Sequence, residues 1–224
     1  MDLNAIENLN IDRVLKRGTA EIIEKESDSI LLRDTRSKVL MLACDDVSKG
    51  MEILERNISE SKPIILITNP ELGRMAAEKF GYEGIMECYQ MAYYSEEPPR
   101  SDNVLTYKTA TMDDYSFIAR DYELVSEEEL KELIERGNII MGYEGDNAIG
   151  FIGEHLEGSV GLLQVLSEHR RKGYGMELEK EMIRRTIERG DTPFGQVVVD
   201  NTASLELQKK LGLTKSEGTI FWMW

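Results

Sequence analysis

Residues 162–175 read LLQVLSEHRRKGYG, and their interpretation decides the rest. An apolar run ends at Val165 and Leu166, a short basic turn follows, and a long amphipathic segment begins beyond Gly173 and Gly175. This is the pattern of a strand, a loop and the start of a helix. The first amides of a helix lack intrahelical partners and lie at the positive end of its dipole, so the pattern makes an anion site. Arg170, Arg171 and Lys172 add formal charge beside those amides. Glycine at 173 and 175 removes the Cβ atoms that would keep a bulky phosphate away.

The composition sets limits around this loop. With 224 residues the chain suffices for one large domain or two small ones, and 41% apolar with 31% charged residues is ordinary for a globular protein. The net charge of −15 argues against a nucleic-acid partner, which calls for a basic surface. No apolar run approaches a membrane span and the first ten residues carry no signal-peptide pattern, so no membrane association and a cytoplasmic location are expected. Cys44 and Cys88 lie in apolar, strand-like runs and read as buried small hydrophobes. His155 and His169 are the only histidines, neither has metal-ligand spacing, and no metal is expected.

In the first half, residues 4–15 read as a helix, and runs at 20–25, 29–34 and 39–44 read as strands of an antiparallel meander. From 47 to 58 the period becomes helical, with Met51, Leu54 and Ile58 on one face. Residues 63–68 form a buried strand. Asn69 and Pro70 then supply an N-cap and a first-turn proline for a helix that Gly81 closes. A strand over 85–94 precedes a polar stretch, 96–103, in which Pro98 and Pro99 mark a linker. The expected domains are therefore 1–95 and 104–224.

The second half reads as a strand (104–110), helices (113–119 and 126–136, with Ser126 and Glu129 spaced as a capping box) and a hairpin (139–144 with 148–155). A strand (159–166), a helix (173–188), a strand (194–199), a helix (202–211) and a terminal strand (219–224) follow. The fold class is α+β, a mixed and mainly antiparallel sheet flanked by helices.

The segment Arg170-x-x-Gly173-x-Gly175, together with TPFGQVVVDN at 192–201 and SLELQKKLGL at 204–213, resembles the GNAT acyltransferase superfamily. Its glycine-N-acyltransferase-like branch is the nearest pattern. The resemblance covers about residues 105–224. It implies transfer of an acetyl or other short acyl group from acyl-CoA to the amine of a small molecule or amino acid. It further implies that strands 159–166 and 194–199 splay to admit pantetheine beside Val165 and Leu166. The diphosphate would rest on Arg171, Lys172, Gly173, Tyr174 and Gly175, with Arg170 holding the loop or the phosphate. Asn201 and Ser204 would lie with the cofactor. Such a reaction requires the amine to be positioned and deprotonated, an oxyanion stabilised and the thiolate protonated. Where many members carry a tyrosine acid this chain has Gln208, and where many carry a strand glutamate it has Ser159. Glu157, two residues earlier and on the same face of a strand, is the candidate base, with Glu154 and His155 in reserve.

The halves resemble one another. KGMEILERNI at 49–58 parallels YGMELEKEMI at 174–183, and residues 62–82 parallel 192–213, with Asn69 facing Asn201. A tandem GNAT-like chain is thus expected, whose first half lacks the glycine loop and carries Asp45 and Asp46 in its place. GNAT folds add two strands after their last helix and one is evident here, so 85–94 is expected to lie beside 219–224. A homodimer is compatible with the pattern. The alternative to an enzyme is a catalytically weak acyl-CoA sensor or interaction module, which Gln208 and Ser159 favour.

Overall fold

The structure is a computed structural model that describes residues 1–58, 62–102, 104–122 and 125–224. Asn103, within the expected linker, lies outside the described residues. The chain forms two compact units. One comprises Met1–Ala92, Gln196–Glu206 and Thr214–Trp224, and the other comprises Tyr93–Gly195 and Leu207–Leu213.

The first 92 residues supply α1 (Leu9–Lys16), β1 (Ala20–Lys25), β2 (Ser29–Asp34), β3 (Leu40–Cys44), α2 (Val47–Asn57), β4 (Ile65–Ile67), α3 (Pro70–Phe80) and β5 (Ile85–Ala92). Then come β6 (Thr106–Thr109), α4 (Tyr115–Asp121), α5 (Glu127–Glu135), β7 (Ile139–Glu144), β8 (Asn147–Glu154), β9 (Val160–Val165) and α6 (Tyr174–Glu188). The chain ends with β10 (Phe194–Val198), α7 (Thr202–Lys210) and β11 (Thr214–Met223). The α+β class read from the sequence is the class observed.

In the first unit β1, β2 and β3 form the antiparallel meander, β4 joins β3 in parallel across α2, and β11 lies between β4 and β5, antiparallel to both. Alternation along each strand sorts the core into two layers. Leu31, Leu40 and Leu42 meet α2 and α3 on one face, while Ile30, Leu32 and Met41 meet Ile11 and Val14 of α1 on the other. Helix α3 begins as expected: Asn69 Oδ1 accepts from the amides of Glu71 and Leu72, and Gly81 takes φ 63° at the C-cap. Strand β5 pairs with β11 from Ile85↔Met223 to Ala92↔Thr214, as expected for 85–94, but β11 begins five residues earlier than 219. The polar residues Thr214, Lys215, Ser216 and Glu217 hide that start. They join the strand through an irregularity between Lys215 and Thr219, where buried Ser216 donates to the Gly218 carbonyl and accepts from the Gln90 amide.

The second unit is an antiparallel β6-β7-β8-β9 sheet, to which β10 adds in parallel through one register pair, Gly195 with Val160. Helix α6 covers one face with Tyr174, Leu178 and Met182, and α4 and α5 cover the other with Ile118, Leu130 and Leu133. The absent side chain of Gly142 admits Leu178, whose Cδ2 would lie 2.8 Å from a Cβ there. Glu177 on α6 accepts from Ser101 Oγ, the Asp102 amide and Lys180 Nζ, and so anchors the connecting segment to the helix.

Candidate active site

Strand β9 is irregular where the site is expected. Leu162 has φ 52°, a left-handed conformation that side chains disfavour, and the pairing with β8 shifts between Phe151 and Gly153. On its other side β9 pairs with β10 at Val160 alone, so among the described residues the edge from Gly161 to Val165 has no strand partner there. That edge offers backbone donors and acceptors to an extended ligand.

The edge leads into the glycine loop. Leu166 donates its amide to the Ile149 carbonyl at 3.0 Å and ends the pairing with β8. A 3-10 turn, Ser167–His169, follows. Arg170 Nε donates to the Val165 carbonyl at 3.0 Å, which draws the loop onto the end of β9. Arg171 takes φ 62° and Gly173 φ 86°, and both Arg171 and Lys172 are exposed. Gly173 is the N-cap of α6 and has no side chain to cap it, leaving the first turn open to an outside acceptor. A Cβ built at Gly173 would meet nothing within 4 Å, so the space before the helix is clear. Gly175 faces the strand, where a Cβ would stand 3.6 Å from Val165 Cγ2. Buried Tyr174 donates to Glu144 on β7, with an edge-on contact to His169 at 6.3 Å between ring centres. The corresponding start in the first unit is closed: Asp46 caps α2 by accepting from the Lys49 amide at 2.8 Å.

The proton-transfer candidates cluster at the opposite end of β9. Glu157 and Ser159 are 5% and 0% exposed, and the Ser159 hydroxyl donates to Glu157 Oε1. The His155 ring lies against Gly161, where a Cβ would come within 2.5 Å of Nε2, and its Nδ1 is 4.0 Å from Glu129 Oε1. Burial opposes protonation of His155, but the carboxylates of Glu129 and Glu157 prevail and hold its pKa above the ordinary histidine value. Tyr122 hydrogen-bonds the backbone of Leu162 at the irregularity. Its burial, with Glu129 and Glu157 adding to the effect, pushes its hydroxyl up to about 12. Glu154, held in reserve as a base, is committed elsewhere: both oxygens accept from Arg189 Nη2 at 2.6 Å and Oε1 also accepts from Thr186.

Gln208 is buried at the end of α7, and its Nε2 donates to Glu179 Oε1 on α6. Asn201 and Ser204 belong to the first unit, where Asn201 Oδ1 accepts from the Ser204 amide at 3.1 Å near the start of α7. The structure thus brings together Val165, Leu166 and 170–175 in one loop, and Glu157 with Ser159 in one hydrogen-bonded pair. Tyr122 and Glu179 escaped the sequence reading, and Glu129 entered it only as the capping-box partner of Ser126. Only Glu179 carried a signal there, as a carboxylate one helical turn beyond Gly175 on a stripe that continues to buried Ile183.

Among the described residues no group of three or more His, Cys, Asp or Glu side chains is placed to hold a metal ion. None of their helices is long and apolar enough to cross a membrane.

Against known proteins, residues 139–222 match the family model described as FR47-like protein. No curated protein matches the chain in sequence. A Drosophila protein solved by X-ray crystallography aligns with a TM-score of 0.72 at 20% identity, over 97% of this chain and 89% of its own. A GCN5-related N-acetyltransferase from Kribbella flavida aligns at 0.60 and 12%, over 97% and 93%. A GCN5-related N-acetyltransferase-like protein from Streptococcus suis aligns at 0.55 and 15%, over 95% and 92%. The architecture is therefore the GNAT acyltransferase fold. The FR47-like match runs from β7 through the glycine loop and α6 into β11.

Proposed function

We propose that the protein is an acyl-CoA-dependent N-acyltransferase of the glycine-N-acyltransferase-like branch. It would move an acetyl or other short acyl group to the amine of a small molecule or amino acid. The observation that carries this reading is the uncapped N-terminus of α6, reached through Arg171 and Gly173 in left-handed conformations, directly beyond the unpartnered edge of β9. A diphosphate accepts from the open amides and is balanced by Arg171 and Lys172, while pantetheine pairs with β9 toward Val165 and Leu166. Arg170 serves the loop, through its bond to Val165. Asn201 and Ser204 are assigned to the cofactor on the resemblance alone.

Chemically, a thioester yields to direct attack by a neutral amine, with no covalent enzyme intermediate. Glu157 accepts the proton lost by the amine nitrogen, directly or through water, with Ser159 orienting the carboxylate. The irregular backbone at Leu162 turns peptide groups away from regular strand pairing and toward the forming oxyanion. The first half is proposed to be a degenerate copy, in which Asp46 fills the anion position of its own helix and repels phosphate. A tandem origin, a cytoplasmic setting and a homodimer belong to the same proposal.

The test is acetyl-CoA binding followed by release of free CoA thiol across a panel of amines. Saturable binding with turnover on at least one amine supports the enzyme. Binding with turnover on none supports the sensor reading. Absence of binding removes both.

A further inference from the structure

Helix α6 buries three glutamates, and among the described residues only one of them has no cation. Glu177 pairs with Lys180, and Glu181 with Arg184 and Arg185. Glu179 is 4% exposed and its hydrogen-bond partner is neutral, the Gln208 amide at Oε1, while Oε2 is buried without a partner. An uncompensated carboxylate in such a site is costly, and a neutral carboxylic acid is the form the site favours. The pKa values of Glu177 and Glu181 are held below the usual carboxylate range, whereas burial raises that of Glu179 to about 7. Burial is the larger influence on Glu179, and the bond from Gln208 opposes it.

Its position is defined from two sides. Gly175 and Glu179 are four residues apart and so share a face of α6. Gly175 faces Val165 and Leu163, with a Cβ there 3.6 Å and 4.0 Å from their side chains. Glu179 is one turn further along α6, and Gln208 reaches it from α7. Glu179 thus lies one turn beyond the phosphate loop along α6, held from α7 by Gln208, with its second oxygen buried and without a partner among the described residues.

We propose that Glu179 is the proton donor to the departing CoA sulfur, with Gln208 holding its carboxyl in place. The inference rests on the acyl-CoA reading above. As the tetrahedral intermediate collapses, the carbon–sulfur bond breaks and sulfur keeps its electron pair. The Oε2–H bond of Glu179 then breaks and its proton goes to sulfur, giving free CoA thiol and a carboxylate. The carboxylate regains a proton from solvent after the thiol leaves. The amine's own proton goes to Glu157, so the two transfers balance.

The test uses the full chain with CoA and with desulfo-CoA, which lacks the sulfur. Calorimetry near neutral pH in buffers of different ionisation heat reads the protons taken up on binding. Seating the thiol against Oε2 favours the acid, so the wild-type protein takes up a fraction of a proton with CoA and less with desulfo-CoA. E179Q binds CoA without that uptake, and E179D, which keeps an acid, retains part of it; a purely packing role would instead favour the isosteric glutamine over the shorter aspartate. With an amine found in the panel, wild-type kcat falls as pH rises above neutrality, while E179Q is about 10- to 100-fold slower and has lost that limb. Equal proton uptake in wild type and E179Q, or an unchanged pH profile, overturns the assignment while leaving CoA binding intact. Failure of CoA to bind the wild-type chain instead overturns the acyl-CoA reading beneath it.

Discussion

Gln208 on α7 donates its side-chain amide to the buried carboxyl of Glu179 on α6, and among the described residues that carboxyl has no other partner. The pairing has a consequence for stability that is independent of any ligand. The folded pKa of Glu179, about 7, is above the ordinary glutamate value of 4.5. Its favourable contribution is therefore complete below pH 4.5 and is lost as pH rises through about 7, because ionisation then occurs more readily in the unfolded chain. A shift of this size corresponds to about 3 kcal/mol. E179Q should match wild type in urea unfolding near pH ~5 and exceed it by up to ~3 kcal/mol near pH ~9. Parallel pH dependence in the two proteins would show that Glu179 is already ionised in the fold at neutral pH.

The cap of α3 gives a second prediction. Asn69 Oδ1 accepts from two helix amides while Nδ2 donates to the Cys44 carbonyl at 3.1 Å, so one side chain starts the helix and ties it to the end of β3. Asn69→Ala should cost about 1–2 kcal/mol, measured as a lower urea midpoint with an unchanged slope. Asn69→Asp should retain most of the capping and lose the bond to Cys44. A midpoint unaffected by Asn69→Ala would remove the cap from the account of this unit's stability.

Much of this fold was legible because its signals are local. Asn69-Pro70 and Gly81 bracket α3, and the alternation of Ile30, Leu31 and Leu32 defines a strand buried on both faces. The glycine loop could be read for the same reason, since Arg170, Gly173 and Gly175 act within one turn of chain. What could not be read depends on contacts distant in sequence. The polar start of β11 is a strand only because β5 pairs with it. The commitment of Glu154 to Arg189, 35 residues away, has no sequence pattern, nor has the approach of Tyr122 to the irregular backbone at Leu162. Gln208 and Glu179 are 29 residues apart, and their bond exists only once α6 and α7 have packed.

The junction of β9 and β10 yields a third prediction. A Cβ on Gly195 would lie 2.5 Å from the carbonyl oxygen of Val160, its one register partner, and backbone cannot yield as a flexible side chain can. Gly195→Ala should therefore push the strands apart at their single point of pairing and destabilise the protein by about 1–3 kcal/mol. The acetyl-CoA-dependent rise in melting temperature should shrink as well, since the edge proposed for pantetheine begins there. Gly190→Ala, at a turn with φ 81° and open space around it, is the control for backbone strain. If the two variants lose ligand-induced stabilisation equally, the junction has no special part in binding.

Glu157 and Ser159 provide the last prediction, which separates binding from chemistry. Their side chains are hydrogen-bonded to each other at the entrance to β9, away from the loop that would hold phosphate. Glu157→Gln keeps the shape and a hydrogen bond to Ser159 but cannot accept the amine's proton. It should leave the thermal shift with acetyl-CoA intact and lower kcat by about 100- to 10,000-fold on any amine that wild type acylates. Gly173→Trp should do the reverse of the first effect, abolishing the shift, because the indole obstructs the open amides and φ 86° strains any side chain there. Ser159→Ala should fall between, with a smaller loss in kcat, since it frees the carboxylate to rotate without removing the base. If Glu157→Gln retains full turnover, the base lies elsewhere in the same cluster. His155 is then the next side chain to replace, because Glu129 and Glu157 already favour its protonated form.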